Sequence, residues 1–223
     1  MAAHLQREID RLKKILTQLC GVVEEQVQLA VQALLERDEE LARRVIAKDR
    51  AIDQSEVDIE EECLKTLALH QPVATDLRLI VAALKINNDL ERMGDLAVNI
   101  ANKALRFSEQ PHMEIPFDLE GMGRKTQAML RDSLDSLISL NAELAADVCT
   151  RDDEVDDMKR DIRERAEILM SEQPERITSY LILLAVSRNL ERIADHATNI
   201  AEDVVYMVEG RIIRHGEGDV TMV

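Results

Sequence analysis

The chain has few of the residues that interrupt helices. It contains no tryptophan, 2% aromatic residues, 7 glycines and 4 prolines among 223 residues. Alanine, leucine, isoleucine, glutamate, aspartate and arginine dominate instead, and this composition is typical of long helices. Because 46% of the residues are hydrophobic, the chain can bury a substantial core. The composition therefore predicts an all-α fold.

The chain also lacks long apolar runs and paired cysteines. No segment approaches the run of about 20 apolar residues that a membrane span requires, and the charged start, MAAHLQREIDRLKKIL, has no signal-peptide core. The three cysteines, Cys20, Cys63 and Cys149, are odd in number and widely spaced, with no CxxC pair. They indicate reduced, structural thiols. These observations predict a cytoplasmic protein without membrane insertion.

Positive charge is scarce. Lysine and arginine number 28 against 44 aspartates and glutamates, which gives a formal net charge of −16. This balance argues against nucleic-acid binding, because neutralising phosphates needs Lys and Arg. It argues equally against docking on anionic lipid. Cations and basic partner surfaces are the favoured ligands.

One stretch of sequence occurs twice. Residues 88–101 read NDLERMGDLAVNIA and residues 188–201 read RNLERIADHATNIA, an offset of 100 (188 − 88). Earlier in each half, matches recur at an offset of 103 (152 − 49): Leu41, Asp49, Ile52, Asp53, Asp58 and Ile59 return as Leu144, Asp152, Val155, Asp156, Asp161 and Ile162. The chain is therefore predicted to be a tandem duplication.

The apolar pattern predicts three helices in each half. They cover about residues 5–35, 39–70 and 74–106, then about 119–140, 143–170 and 176–208. Gln71-Pro72 and Gln173-Pro174 end corresponding helices, since the residue before a proline avoids helical angles. Gly210 ends the last helix.

Short connections within each half predict two tandem, pseudo-symmetric antiparallel three-helix bundles. The predicted boundaries are a first repeat at residues 1–107, a proline-containing linker at 108–116, a second repeat at 117–210 and a C-terminal tail at 211–223.

Each half carries two acidic pairs with a spacing of four residues, which places both carboxylates of a pair on one helix face. A helical wheel puts Glu91, Asp95 and Asn99 opposite the apolar seam of their helix, and therefore at the surface. Like charges at this spacing repel, whereas carboxylate and amide oxygens are ligands for hard cations that would offset the repulsion. The alternative is a solvated helix face. The predicted metal ligands are Asp49, Asp53, Glu91, Asp95, Asn99, Asp152, Asp156, Glu191, Asp195 and Asn199.

No catalytic constellation is recognisable. The Glu-x-x-His motif of di-iron bundles is absent from the predicted helices, and there is no HExxH, P-loop or glycine-rich dinucleotide turn. His196 is a candidate nitrogen ligand, with a surface or partner-facing role left open. Arg92 and Arg192 are expected to be solvated or to pair with Asp95 and Asp195, three residues later, and anion binding is the alternative. We therefore expect no enzymatic activity.

The two repeats resemble the PhoU family across nearly the whole chain. The resemblance rests on QPVATDLRLIVAALKINNDLERMGD in the first half and on NLERIADHATNIAEDVVYMVEG, followed by Arg214-His215, in the second. The repeated LERxxDxAxNIA pattern is specific in this context. One departure is Ala194, where the family often has glycine, as at Gly94. Alanine is small enough for the close approach to survive.

The resemblance implies a bacterial regulator of phosphate homeostasis in the cytoplasm. Such proteins reduce phosphate uptake and keep phosphate-starvation genes off when phosphate is plentiful. They act as adaptors between the ATPase subunit of the phosphate ABC transporter and a sensor histidine kinase. Their E(D)xxxD motifs carry surface clusters of iron or zinc, which the resemblance places on the carboxylates named above, with Asn99 and Asn199 extending two motifs. We also expect a homodimer.

Two other functions are compatible with the sequence. One is a carboxylate-rich metal-storage or metal-dependent hydrolytic protein unrelated to signalling. The missing Glu-x-x-His motif and the outward-facing acidic residues count against it, because such chemistry needs a sheltered site. The other is a helical scaffold without a ligand.

Overall fold

A computed structural model describes residues 2–211, so most of the predicted tail, including Arg214-His215, lies outside the described residues. The first half contains α1 (Ala2–Glu36), α2 (Glu39–His70) and α3 (Ala74–Ser108). The second contains α4 (Leu119–Ser139), α5 (Ala142–Cys149), α6 (Asp152–Glu172), a 3₁₀ turn (Pro174–Arg176) and α7 (Ile177–Glu209). No strand occurs within this range. The predicted all-α, two-bundle fold is confirmed.

The helices that carry the duplicated sequence, α3 and α7, form the centre of the molecule. They pack against each other more extensively than any other pair of helices. In addition, α1 and α2 pack on α3, whereas α4, α5 and α6 pack on α7. The apolar seams of both central helices are fully buried, and one hydrophobic core runs through both halves. None of the helices in the described part combines the length and the apolar character that crossing a bilayer requires.

The turn that follows the first helix of each half has the same construction in both repeats. Arg37 and Leu140, 103 residues apart, both adopt left-handed backbone angles, with φ of 55° and 53°. The next residue caps the following helix. The Asp38 carboxylate accepts a hydrogen bond from the Leu41 amide, and the Asn141 side chain accepts one from the Leu144 amide. These caps fix where the second helix of each repeat begins.

The prediction of a single helix over residues 143–170 is wrong, because α5 ends at Cys149 and α6 begins at Asp152. At the break, the Thr150 hydroxyl donates to the Asp147 carbonyl at 2.7 Å. A threonine hydroxyl that bonds a nearby carbonyl competes with the helical pattern. The corresponding residue in α2 is Ala47, which has no such group, and α2 is continuous.

Hydrogen bonds and aromatic packing hold the segment between α3 and α4 against the helices. The Arg37 guanidinium donates to the Phe107 and Gln110 carbonyls, both at 2.7 Å, and lies 4.5 Å from the centre of the Phe107 ring. Further along, Phe117 is buried and packs edge-on against Tyr180, with ring centres 6.2 Å apart. The proline-containing segment is therefore packed on the core of both halves.

The three cysteines are free thiols. Burial raises the pKa of Cys20 and Cys63 to about 12 and that of Cys149 to about 11. A thiol with such a pKa stays protonated at neutral pH and is a poor nucleophile. The predicted structural role is therefore supported.

The exchange of Gly94 for Ala194 between repeats coincides with a second exchange. A methyl group added at Gly94 would lie 3.1 Å from the Ile52 δ-carbon, a tight contact between α3 and α2. The residue that corresponds to Ile52 in the second half is Val155, which lacks that carbon. Ala194 and Val155 are both buried. The methyl group gained on α7 is thus matched by a methylene lost on α6.

We predict that Gly94→Ala and Ile52→Val are coupled. Overpacking costs about 1–3 kcal/mol, so Gly94→Ala should be better tolerated after Ile52 has been shortened. The double variant should be about 0.5–1 kcal/mol more stable than the sum of the single effects. Urea unfolding of the four proteins of the cycle measures this value. Additive effects would contradict the prediction, because they would show that α2 and α3 accommodate the added methyl group without help from the shortened side chain at position 52.

Candidate functional site

The predicted acidic ligands gather in two separate places, one in each repeat. The first carboxylate cluster consists of Asp49 and Asp53 on α2 with Glu91 and Asp95 on α3. The second carboxylate cluster consists of Asp152 and Asp156 on α6 with Glu191 and Asp195 on α7. Every one of these side chains is partly or largely exposed. The expected surface position is therefore confirmed for the carboxylates, and pairing of neighbouring helices brings each set together.

In the first carboxylate cluster the acids repel one another across α2 and α3. Burial, followed by the charges of Asp53 and Asp95, raises the pKa of Asp49. Burial and the charge of Asp95 likewise raise the pKa of Glu91, which the Arg92 guanidinium partly opposes. The negative charge in this cluster is therefore incompletely neutralised by the protein.

The second carboxylate cluster is perturbed more strongly. Burial raises the pKa of Asp195 to about 6, with further contributions from Glu191, Asp152 and Asp156 that Lys159 partly opposes. Burial and Asp156 also raise the pKa of Asp152, against a hydrogen bond from Thr198 at 3.5 Å.

The two predicted amide ligands, Asn99 and Asn199, have different surroundings. The Asn99 side chain is exposed and makes no hydrogen bond to any residue between 2 and 211. Asn199 instead lines an open cleft between α3 and α7, together with Asp89 and Asp203. Their assignment as ligands stays a prediction.

His196 faces the other repeat. Its Nδ1 lies 2.8 Å from Asp89 Oδ1, with both side chains largely buried. The contact joins α7 to α3, so His196 connects the two halves. The sequence indicates this role only through the counterpart of His196 at the offset of 100, Leu96, which cannot form such a pair.

The two repeated arginines behave differently. Arg92 contacts Asp95 at 3.3 Å and Glu91 at 3.4 Å, as predicted. Arg192 is exposed and forms no ion pair within residues 2–211, which corresponds to the solvated role and not to pairing with Asp195. The cation in the second carboxylate cluster is Lys159, whose ammonium group contacts both Asp156 and Glu191.

Sequence reasoning missed two residues at the clusters, Lys159 and Glu56. The charge of Glu56 contributes to the raised pKa of Glu91. Positions 56 and 159 correspond at the offset of 103, and they lie three residues after the predicted ligands Asp53 and Asp156. Comparison of the repeats for differences, in addition to identities, would have found both.

The side chains of the two clusters are not arranged as a complete metal-coordination site. Within the described part of the chain, no group of three or more histidine, cysteine, aspartate or glutamate side chains is arranged so as to hold a metal ion. The donor chemistry does fit a hard cation, because each cluster offers several carboxylate oxygens that are accessible to solvent. Binding would require side-chain rotations on helices that are already in place.

Two helical repeats that share one core and carry equivalent carboxylate clusters define a duplicated α-helical protein. Its repeats match the PhoU domain model twice, at residues 16–104 and 119–204. The chain is 40% identical over 210 residues to a protein of Pseudomonas putida, with 93% of this chain and 82% of that protein covered. It is 36% identical over 205 residues to a protein of Clostridium acetobutylicum, with 92% and 94% covered. Both relatives are named phosphate-specific transport system accessory protein PhoU homolog.

Solved structures agree with this relationship. The crystal structure of PhoU from Pseudomonas aeruginosa matches with a TM-score of 0.89 and 38% identity, covering 92% of this chain and 99% of that one. The phosphate transport system regulatory protein PhoU from Streptococcus pneumoniae matches with a TM-score of 0.87 and 32% identity, covering 95% and 100%. The chain belongs to the PhoU family.

The raised pKa of Asp195 predicts a specific pH dependence. Its folded-state pKa of about 6 lies above its ordinary value of 3.8. The native state therefore binds the proton more tightly, and ionisation of Asp195 lowers stability as the pH rises through this window. In chelator-treated protein, Asp195→Asn should melt at nearly the wild-type temperature near pH 4 and a few degrees higher at pH 7.

The matched control for this prediction is Asp161→Asn, which alters an exposed aspartate on α6 without an ion pair in the described residues. It should follow the wild-type curve. Thermal unfolding monitored by circular dichroism from pH 4 to pH 8 makes the comparison. Equal pH curves for wild type and Asp195→Asn would contradict the prediction.

Proposed function

We propose that this protein is an accessory regulator of a phosphate-specific transport system. The observation that carries the proposal is the match of both repeats, over nearly the full length, to proteins named as accessory proteins of that system. A relative that matched in one repeat alone would support only the fold. Here the core, the turns and both acidic clusters belong to the shared region.

We propose further that the protein acts in the cytoplasm as a negative regulator. It would reduce phosphate uptake and keep phosphate-starvation genes off, as an adaptor between the ATPase subunit of the phosphate ABC transporter and a sensor histidine kinase. An adaptor needs exposed, rigidly placed side chains, and the two carboxylate clusters supply them on paired helices. Their charge suits a basic partner surface, since complementary charge speeds and orients association. A homodimer remains part of this proposal.

The regulatory role predicts a reporter phenotype. In a strain that lacks its own PhoU gene, the wild-type protein should repress a starvation promoter in phosphate-rich medium. Glu91→Gln with Glu191→Gln should remain folded, because glutamine keeps the size of each side chain and both positions lie outside the hydrophobic core. It should nevertheless raise reporter activity several-fold, because it removes one charge from each cluster.

The control is Glu61→Gln with Glu164→Gln, which changes a second pair of exposed glutamates that correspond between repeats. This variant should repress like wild type. Co-purification with the tagged ATPase subunit and with the tagged kinase, at low and high salt, tests the adaptor role directly. Failure of the wild-type gene to repress the promoter would contradict the regulatory role. Equal repression by both double variants would show that the carboxylate clusters do not carry that role.

We also propose that the carboxylate clusters bind iron, zinc or another divalent or trivalent metal ion, alone or as a small cluster of ions. The supporting observations are the oxygen donors, their exposure, and the raised pKa values of Asp49, Glu91, Asp152 and Asp195. A bound cation would relieve the same repulsion that a proton relieves. The ion would supply a fixed positive charge on the surface, through which a partner could be held.

Metal binding predicts a thermal shift. An ion that binds the native protein and not the unfolded chain stabilises it by mass action, by roughly 2.7 kcal/mol at 100 times Kd. Titration of Fe²⁺, Zn²⁺, Mn²⁺ or Mg²⁺ into chelator-treated protein should therefore raise the melting temperature. Asp95→Asn with Asp195→Asn should abolish the rise, and Glu61→Gln with Glu164→Gln should keep it. A melting temperature that no ion changes would leave the clusters as solvated helix faces.

A further inference from the structure

A groove between α6 and α7 is basic, although the chain as a whole is strongly acidic. It is lined by four basic side chains and two acidic ones, a local charge of +2 (4 − 2), whereas the formal net charge of the chain is −16. The basic side chains are Lys159, Arg160 and Arg163 on α6 and Arg188 on α7. We call this surface the basic groove. Its charge is opposite to that of the molecule around it.

The corresponding groove of the first repeat, between α2 and α3, has none of these basic residues. They are replaced there by Glu56, Val57, Glu60 and Asn88, at offsets of 103 on the second helix and 100 on the third. Both repeats pair these two helices in the same way, so packing does not require the arginines. The positive charge of the basic groove therefore calls for an explanation other than folding.

The protein itself holds the arginines of the basic groove only weakly. Arg160 pairs with Asp157, and Arg163 pairs with Glu167, in both cases within α6. The two arginine side chains are 62% and 75% exposed, and such exposed pairs contribute little to stability. Arg188 is exposed and forms no ion pair within residues 2–211. These three guanidinium groups are thus accessible to the carboxylates of another molecule.

The shape and lining of the basic groove favour a polypeptide over a phosphate polymer. The groove holds about 1200 Å³ of space that is open to solvent, which is far more than a single small anion needs. Asp156 and Glu167 also line it, and they would repel a uniformly charged polyanion. Leu184 and the alkyl stems of the arginines offer apolar contact. A peptide can match this mixed pattern, because its carboxylates and apolar side chains occupy separate positions.

We propose that the basic groove docks an acidic segment of a partner protein. Carboxylates of the segment meet Arg160, Arg163 and Arg188, and an apolar side chain of the segment packs on Leu184. The inference rests on the proposed adaptor role for the identity of the partner, and not for the binding itself. Because the carboxylate clusters suit a basic surface, the chain would carry two docking surfaces of opposite charge for two unlike partners.

The experiment measures binding of a labelled peptide to the full-length protein by fluorescence anisotropy. The probe is a fluorescein-labelled peptide of repeating Asp-Glu-Leu, and its control has Asn and Gln in place of the acids. Wild type should bind the acidic peptide and not the amide peptide. The affinity should fall several-fold as sodium chloride rises from about 50 to about 300 mM, because salt screens exposed charges.

The variants place the peptide on the groove. Arg160→Glu with Arg188→Glu reverses one charge on each helix and should weaken binding by at least about tenfold, since repulsion replaces attraction. The matched control is Lys14→Glu with Arg44→Glu, which changes the net charge by the same amount at exposed positions on α1 and α2. It should bind like wild type. Arg163→Gln, a milder change, should weaken binding by about threefold. Circular dichroism verifies that each variant keeps its helices.

Three outcomes would overturn the inference. They are equal binding of the acidic and amide peptides, equal weakening by the groove variant and the control variant, and release of the peptide by sodium pyrophosphate but not by sodium chloride of equal ionic strength. The last result would assign the groove to a phosphate anion.

Co-purification with the tagged ATPase subunit and the tagged kinase separates this inference from the adaptor role. Arg160→Glu with Arg188→Glu should lose one of the two partners and keep the other. Peptide binding to the groove with neither partner retained by wild type would reject the adaptor role and leave the basic groove as a docking site. Both partners retained equally by wild type and by the groove variant would keep the adaptor role and overturn the assignment of the groove to it.

Discussion

α3 and α7 pack against each other, and this contact joins the two halves of the described chain. Each half supplies one central helix, and the rest of that half packs on it. Polar pairs cross the same contact: His196 with Asp89 at 2.8 Å, and Lys85 with Asp203 at 3.2 Å. Apolar burial provides the stabilisation, whereas these directional pairs fix how α3 and α7 are aligned.

The position of the carboxylates follows from that packing. A helix that buries one face must present the opposite face to solvent, so Glu91 and Asp95 on α3 project outward beside Asp49 and Asp53 on α2. Burial, followed by repulsion from the neighbouring acids, raises the pKa of Asp49 and of Glu91. The fold tolerates the repulsion between these carboxylates, because they lie at the edge of the shared hydrophobic core and not inside it.

Duplication has produced two copies that differ in ways that packing explains. A glycine and an isoleucine in contact in the first repeat correspond to an alanine and a valine in the second, both of which are buried. Ala47 corresponds to Thr150, and the helix breaks where the threonine hydroxyl bonds the backbone. Glu56 corresponds to Lys159, which reverses a charge at the surface. The residues that the two repeats share thus specify the common helical architecture. The residues that differ give the two carboxylate clusters different charges.

The sequence by itself determined the helices, their ends at Gln71-Pro72 and Gly210, the duplication and the outward position of the acidic pairs, because these depend on periodicity and local backbone preference. It did not determine the break after Cys149, the partner of His196, or which basic residue meets each acidic cluster. Arg92 and Arg192 look equivalent in sequence, yet only Arg92 pairs with its neighbouring acids. The second cluster takes its cation from Lys159 on another helix. Contacts between helices depend on their relative rotation, which only the packed core decides.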